Sequence, residues 1–268
     1  MKPLLFFHGR EAYRRNSLLV LYNFYKNFLY VVPQFYFGFY SAFAGQPLYE
    51  QLIYQMYNIT MTSLPILWYC VFDFQYRKDI DIKMPLDSQQ LKGYFMRNPL
   101  LYRIGIDGTC FSTWLFVKWL AYALIHAAFI FYCCFWVLAQ KGTHQSDGKD
   151  IGFWVAGMLV YGVCIFVANS VLAFKHFTHY WIGTFFFVLC TSSYFVFFWL
   201  FSVSFKNEID HLFMPTFSMR ICYIIIVFIV VACYLVELAY SQCKRVWKGD
   251  PLEKEQSIET QHLLANEN

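Results

Sequence analysis

Five stretches of this chain run about 20 residues or more with at most two charges inside, and a sixth, 49–73, is apolar but studded with polar side chains. About 20 predominantly apolar residues in a helix cross a hydrocarbon layer about 30 Å thick. The expected spans are 18–44, 49–73, 113–139, 151–174, 178–204 and 217–243. Composition agrees: 14% of the residues are charged and 59% hydrophobic, against about a quarter charged in an ordinary soluble domain. The fold class is therefore an all-α integral membrane protein with six transmembrane helices. The longest connection, 74–112, is too short for a separate catalytic domain of roughly 100 residues, so chemistry in water is expected to come from elsewhere.

Basic residues accumulate on the cytoplasmic side of a membrane. Segment 1–17, loop 74–112, Lys175 and the tail 244–268 together carry fifteen Lys and Arg, whereas the opposite face carries Lys141, Lys149, Lys206 and Arg220. Both termini are expected in the cytoplasm. The net charge of +4 thus reflects orientation and not a nucleic-acid partner, which would require a concentrated basic stripe. All nine cysteines fall in or beside apolar stretches and read as packing residues. No spacing of Cys and His suggests a metal site, and the apolar run Pro3–Phe7 is too short for a secretory signal.

Polar residues concentrate in the first two spans. Asn23, Asn27, Tyr30, Gln34 and Ser41 fall within about 60° on one face of a helix, with Lys26 beside them. Gln51, Gln55, Asn58 and Thr62 form a similar stripe on the second span. The connection through Gly45, Gln46 and Pro47 is short enough to make the two helices antiparallel neighbours. Their polar faces can then meet, or jointly line a groove.

A charged lysine at the centre of a membrane helix costs about 2.5 to 3.5 kcal/mol on insertion scales, so Lys26 has two readings. It is part of a transport path, or its side chain snorkels about 12 Å to the cytoplasmic headgroups. Pro33 and Pro65 are expected to kink their spans and free carbonyls for a ligand or for a neighbouring Ser or Thr. His126 reads as a hydrogen-bonded core histidine, and Gly152, Gly157 and Gly162 as points of close helix approach. Catalytic residues are expected to be none, since no phosphate-cradling loop, Ser-His-Asp set or His-Glu-x-x-His run occurs.

An ordered set of motifs resembles the phospholipid-flipping P-type ATPases. It comprises Leu4-Leu5-Phe6-Phe7-His8-Gly9-Arg10-Glu11-Ala12-Tyr13-Arg14-Arg15-Asn16 with Tyr25-Lys26-Asn27, Ala44-Gly45-Gln46 with Tyr49-Glu50, Tyr57-Asn58 through Thr62-Ser63-Leu64-Pro65, Phe72-Asp73, and Asn98-Pro99-Leu100-Leu101-Tyr102 with Gly105. The resemblance runs to about residue 245 and implies spans five to ten of a ten-span enzyme. It departs at Phe74-Gln75-Tyr76-Arg77, where the family usually has Gln directly after Asp.

The resemblance implies the membrane-domain portion of an ATP-driven phospholipid translocase that moves headgroups from the exoplasmic to the cytoplasmic leaflet. This chain lacks the family's Asp-Lys-Thr-Gly and Thr-Gly-Glu motifs. No cofactor is therefore expected in the chain itself, with Mg and ATP serving the complete enzyme. Lys26 matches the family's intramembrane lysine implicated in lipid transport, Asn27 its neighbour and Asn58 the polar position in the family's sixth span; the expected lipid path is Asn23, Lys26, Asn27, Tyr30, Gln34, Gln55, Asn58 and Thr62. Expected partners are phospholipid, the remainder of the ATPase and a two-span glycosylated accessory subunit. The expected location is the plasma membrane or the Golgi and endosomal system. The competing class is an autonomous six-span channel or scramblase, or a scaffold that binds the accessory subunit. Glu259 and Leu263-Leu264 have the spacing of an acidic di-leucine sorting signal.

Overall fold

The computed structural model describes residues 9–73, 108, 110–139, 152–176, 181–204 and 209–248. The motif at 98–105, the connection 140–150 and the di-leucine pattern lie outside the described residues. Among the described residues the structure is all-helical, without strands. In chain order the helices are α1 (Arg10–Tyr40), α2 (Gln51–Met56), a π-helical segment (Tyr57–Met61), α3 (Ser63–Phe72), α4 (Thr113–Ala139), α5 (Phe153–Lys175), α6 (Trp181–Ser204), α7 (Phe213–Ser218) and α8 (Arg220–Lys248). Among the described residues four helical stretches are long and apolar enough to cross a membrane: Thr113–Phe135, Phe153–Lys175, Trp181–Ser204 and Arg220–Tyr240. The 31 residues of α1 are long enough, but their amides lower the hydropathy. The second expected span is divided into α2, the π segment and α3.

The chain forms two compact units, residues 1–230 and 231–268. In the first, α5 is the central helix. Its apolar window is 89% buried, against 28% for those of α4 and α6, as expected for a helix that is apolar on every side. Two glycines let neighbours approach it. A Cβ on Gly157 would collide with the Leu48 carbonyl oxygen, and one on Gly162 would lie 2.7 Å from the Tyr194 ring. Gly152 differs from the expectation: it is the N-cap residue of α5 and faces open space.

The most extensive packing in this unit joins α1 to α4. There the Tyr25 hydroxyl lies 2.7 Å from His126 Nδ1, and the Tyr25 ring meets Tyr122 and Trp119. His126 is buried, the core role expected of it. At the far end of α5, the Lys175 ammonium sits 5.7 Å from the Trp119 ring centroid, a cation–π contact.

Between α1 and α2 the chain turns through Ala42, Phe43 and Gly45, all at positive φ. The Gln34 side chain closes this hairpin at both ends of its amide, donating to the Gln46 carbonyl at 3.1 Å and accepting from the Leu48 amide at 2.6 Å. Glu50 then caps α2 by accepting from the Ile53 amide at 2.8 Å.

Each proline has a side-chain donor at the carbonyl four residues before it, Cys164 at Leu29 and Asn169 at Met61, as the missing N–H requires. Pro33 lies inside α1, which runs through it as one helix. The Leu29 carbonyl, four residues before it, has the Cys164 thiol at 3.5 Å. Pro65 falls in the first turn of α3, where its missing N–H removes no intrahelical bond. The break in the second span is at Thr62, whose φ of −134° and ψ of −5° leave helical geometry.

Candidate functional site

The site is built around that break. In the π segment the backbone bonds from residue i to i+5, so the turn widens and 100° per residue no longer holds. Gln51, Gln55 and Asn58 remain on the exposed face, whereas Thr62 turns inward and is fully buried. The expected single stripe of the second span is therefore split over two faces. The carbonyls left at the break are satisfied by side chains. Tyr57 O accepts from the Thr62 hydroxyl at 2.8 Å, Ile59 O from the Ser63 hydroxyl, and Met61 O from the Asn169 amide at 3.1 Å.

On α1 the buried face runs through Tyr22, Tyr25, Lys26, Leu29, Pro33 and Phe37. The amide stripe lies about 90° around the helix from the centre of that face at 100° per residue. Lys26 consequently points into the protein and is 5% exposed. Its ammonium donates to the Thr62 hydroxyl at 3.0 Å, and Tyr57 closes a ring by donating from its hydroxyl to the Lys26 carbonyl at 3.0 Å.

Four of the eight expected path residues are bonded into the structure. Besides Lys26, Thr62 and Gln34, Tyr30 is buried, donates to the Tyr54 carbonyl at 2.9 Å, and stacks on Tyr57 and Tyr49 with centroids 4.2 and 5.3 Å away. Tyr30 and Gln34 thus tie α1 to the hairpin and α2. The other four make no hydrogen bond among the described residues. Asn23 is half-buried, and Asn27, Gln55 and Asn58 are exposed. Asn27 and Asn58 directly follow Lys26 and Tyr57, which are hydrogen-bonded to each other, so the two free amides stand at a similar level of the helix pair.

The electrostatics of Lys26 are unbalanced. Burying an ammonium costs several kcal/mol in effective terms, and a hydrogen bond to a charged group returns about 1.5 to 3 kcal/mol. The bond to Thr62 uses one of three N–H donors. An anionic or carbonyl oxygen can offset the remainder, and the amides beside the site offer donors and acceptors at its edge.

A second polar cluster joins residues that the sequence shows only as separate motifs, Glu11, Arg14 and Arg15 before the first span and Asp73 after the second. Arg14 donates to Glu11 at 2.9 Å, to Asp73 Oδ2 at 3.0 Å and to the Tyr69 hydroxyl at 2.8 Å. Arg15 donates to the Cys70 and Val71 carbonyls, and His176 Nδ1 lies 3.7 Å from Asp73 Oδ1. Glu11 and Asp73 are fully buried. The start of α1, the end of α3 and the end of α5 are thereby locked together. Asn169 on α5 was also missed. The only signal was a lone amide in an apolar run. Among the described residues no group of three His, Cys, Asp or Glu side chains could hold a metal ion.

Comparison with known proteins identifies the family. The profile of the family "Phospholipid-translocating P-type ATPase C-terminal" matches residues 1–250. The chain is 33% identical over 181 residues to Phospholipid-transporting ATPase IH of Homo sapiens, covering 68% of this chain and 14% of that protein. It is 33% identical over 208 residues to Phospholipid-transporting ATPase IG of Homo sapiens, covering 74% and 16%. With Phospholipid-transporting ATPase 10 of Arabidopsis thaliana the identity is 29% over 176 residues, covering 65% and 13%. The chain spans well under a fifth of the length of these relatives. It belongs to the phospholipid-translocating P-type ATPase family, and what it carries is that family's C-terminal membrane region.

Proposed function

We propose that this chain is the transport half of an ATP-driven phospholipid translocase, moving headgroups from the exoplasmic to the cytoplasmic leaflet. The observation that carries the reading is the buried Lys26 ammonium, held on a single neutral hydroxyl among the described residues beside the free amides of Asn27 and Asn58. A lipid phosphate or carboxylate supplies the charge that this site lacks. Asn23, Asn27, Gln55 and Asn58 form the polar edge along which the headgroup travels while the acyl chains stay in the bilayer. Thr62 holds the lysine when no lipid is bound, and Tyr30 and Gln34 keep the helix pair in register.

In this reading the chain crosses the membrane six times with both termini in the cytoplasm, as its basic residues favour. Hydrolysis of Mg-bound ATP belongs to the remainder of the enzyme, and a two-span accessory subunit contacts the exoplasmic connections. The enzyme works in the plasma membrane or the Golgi and endosomal system.

The test is a chimera in which residues 1–250 replace the matching region of a curated relative, assayed for lipid-stimulated ATP hydrolysis and labelled-lipid transport in proteoliposomes. Lys26→Ala should reduce lipid stimulation at least tenfold, the equivalent of about 1.4 kcal/mol, at unchanged expression. Full lipid stimulation in that variant refutes the path. Vanadate-sensitive ATPase activity in the isolated chain refutes the division of labour.

A further inference from the structure

The Lys26–Thr62 contact exists because the second span breaks at Thr62, and something must hold that break in place. A carbonyl freed in an apolar interior has to find a donor. For Met61 O that donor is the Asn169 amide of α5, at 3.1 Å. The same nitrogen lies 3.2 Å from the Thr191 hydroxyl of α6. Asn169 is 3% exposed. A second side chain of α5 grips the same region: the Tyr161 hydroxyl donates to the Ile53 carbonyl at 2.7 Å and meets Met61 Sδ at 3.2 Å.

Asn169 also carries a cost that packing alone does not require. Its Oδ1 is buried without a hydrogen-bond partner among the described residues. A buried acceptor left unpaired bears its full desolvation penalty, and an apolar side chain of similar size would avoid it. The amide is therefore retained for its donating end, which reaches the residue immediately before Thr62. A change at Asn169 moves Met61 O, and with it the hydroxyl that receives the ammonium.

We infer that Asn169 is a positioning residue for Lys26, acting through Met61 and Thr62 from a helix that bears none of the expected path residues. The inference rests on the lipid-path reading of Lys26. Pro65, four residues on, has no N–H to offer the Met61 carbonyl, so loss of the amide leaves that carbonyl without a donor, the break shifts, and the ammonium loses its fixed acceptor.

The experiment uses the full chain in phosphatidylcholine nanodiscs and compares Asn169→Leu, Thr62→Val and the double variant. One readout is the rate at which a water-soluble amine reagent modifies Lys26, followed by mass spectrometry, with exposed Lys118 as internal standard. The other is the preference of the chain for spin-labelled phosphatidylserine over spin-labelled phosphatidylcholine. Each single variant should speed Lys26 modification about fivefold, the factor one ordinary hydrogen bond is worth, and reduce the headgroup preference. The double variant should go no further than the larger single effect, because both changes remove one linked contact. Asn169→Ser removes the same bond with less disturbance, since serine bonds to its own helix, and it serves if the leucine variant does not fold. Lys26 modification unchanged in the Asn169 variants while Thr62→Val accelerates it, or effects that multiply in the double variant, would overturn the inference. A headgroup preference unaltered by Lys26→Ala would sink the lipid-path reading itself, whatever the modification rates show.

Discussion

The Lys26 ammonium rests 3.0 Å from the Thr62 hydroxyl, across the seam between α1 and the broken second span. That hydroxyl is used twice, accepting from the lysine and donating to the Tyr57 carbonyl at 2.8 Å. Only a side chain with both capacities completes the ring, which makes the pair sensitive to small changes.

Thr62→Val keeps the shape and removes both bonds. It should destabilise the purified chain by about 1 to 3 kcal/mol, the cost of leaving buried groups unpaired, whereas Thr62→Ser should stay near the native value. Thermal unfolding followed by tryptophan fluorescence in detergent distinguishes them, and equal midpoints for Val and Ser would show that the hydroxyl does not matter.

Gly157 and Gly162 should differ in tolerance although both face close neighbours. At Gly157 the obstacle is the Leu48 carbonyl, which cannot move without the backbone of the hairpin, while at Gly162 it is the outer edge of a tyrosine ring at 2.7 Å. Gly157→Ala should cost about 3 kcal/mol and Gly162→Ala about 1 kcal/mol, the range expected of overpacking. The order of the two melting temperatures is the check.

Removing Arg14 leaves Glu11 and Asp73 as buried carboxylates deprived of their shared cation. Arg14→Ala should destabilise the chain by on the order of 3 kcal/mol, and Arg14→Lys should recover little, because a lysine cannot span several acceptors with a planar fork. Detergent-solubilised yield and melting temperature read this out, and a variant as stable as the native chain would show the cluster to be dispensable.

None of the nine cysteines is in a disulfide; Cys243 is exposed and Cys134, Cys164, Cys190, Cys222 and Cys233 are buried. A maleimide should therefore label Cys243 first, and label the five buried thiols only after denaturation. Electrophoretic mobility should not change on reduction. A reducible shift would contradict the packing role assigned to them.

Orientation is open to a direct test. A small epitope inserted in the α1–α2 hairpin should be reachable from outside intact cells, and one appended to the C-terminus only after permeabilisation. The reverse pattern would invert the arrangement argued from the basic residues.

Several features of the fold and site were legible in local chemistry. Helix α4 occupies the whole of 113–139, because a long apolar run has few alternatives in hydrocarbon. The α1–α2 hairpin and the buried His126 were readable for similarly local reasons. The second span was not. Periodicity assumes one angular step per residue, and the π segment at Tyr57–Met61 changes that step without any mark in composition. Gln34 and Tyr30 belonged to a polar stripe by spacing, yet their bonds go to the hairpin and to α2, which depends on what stands opposite them.

From sequence alone come the membrane class, the family and the presence of a lysine among amides in the first span, since apolar run length and residue identity are one-dimensional properties. Tertiary structure alone decides that Lys26 faces inward onto Thr62, that Asn169 fastens the break beside it, and that Asp73 gathers Arg14 and His176 from two other helix ends. The physical reason is that each of these is a pairing between groups on different helices. A buried polar atom is satisfied by whatever partner the packing brings within about 3 Å, and no chain interval encodes that distance.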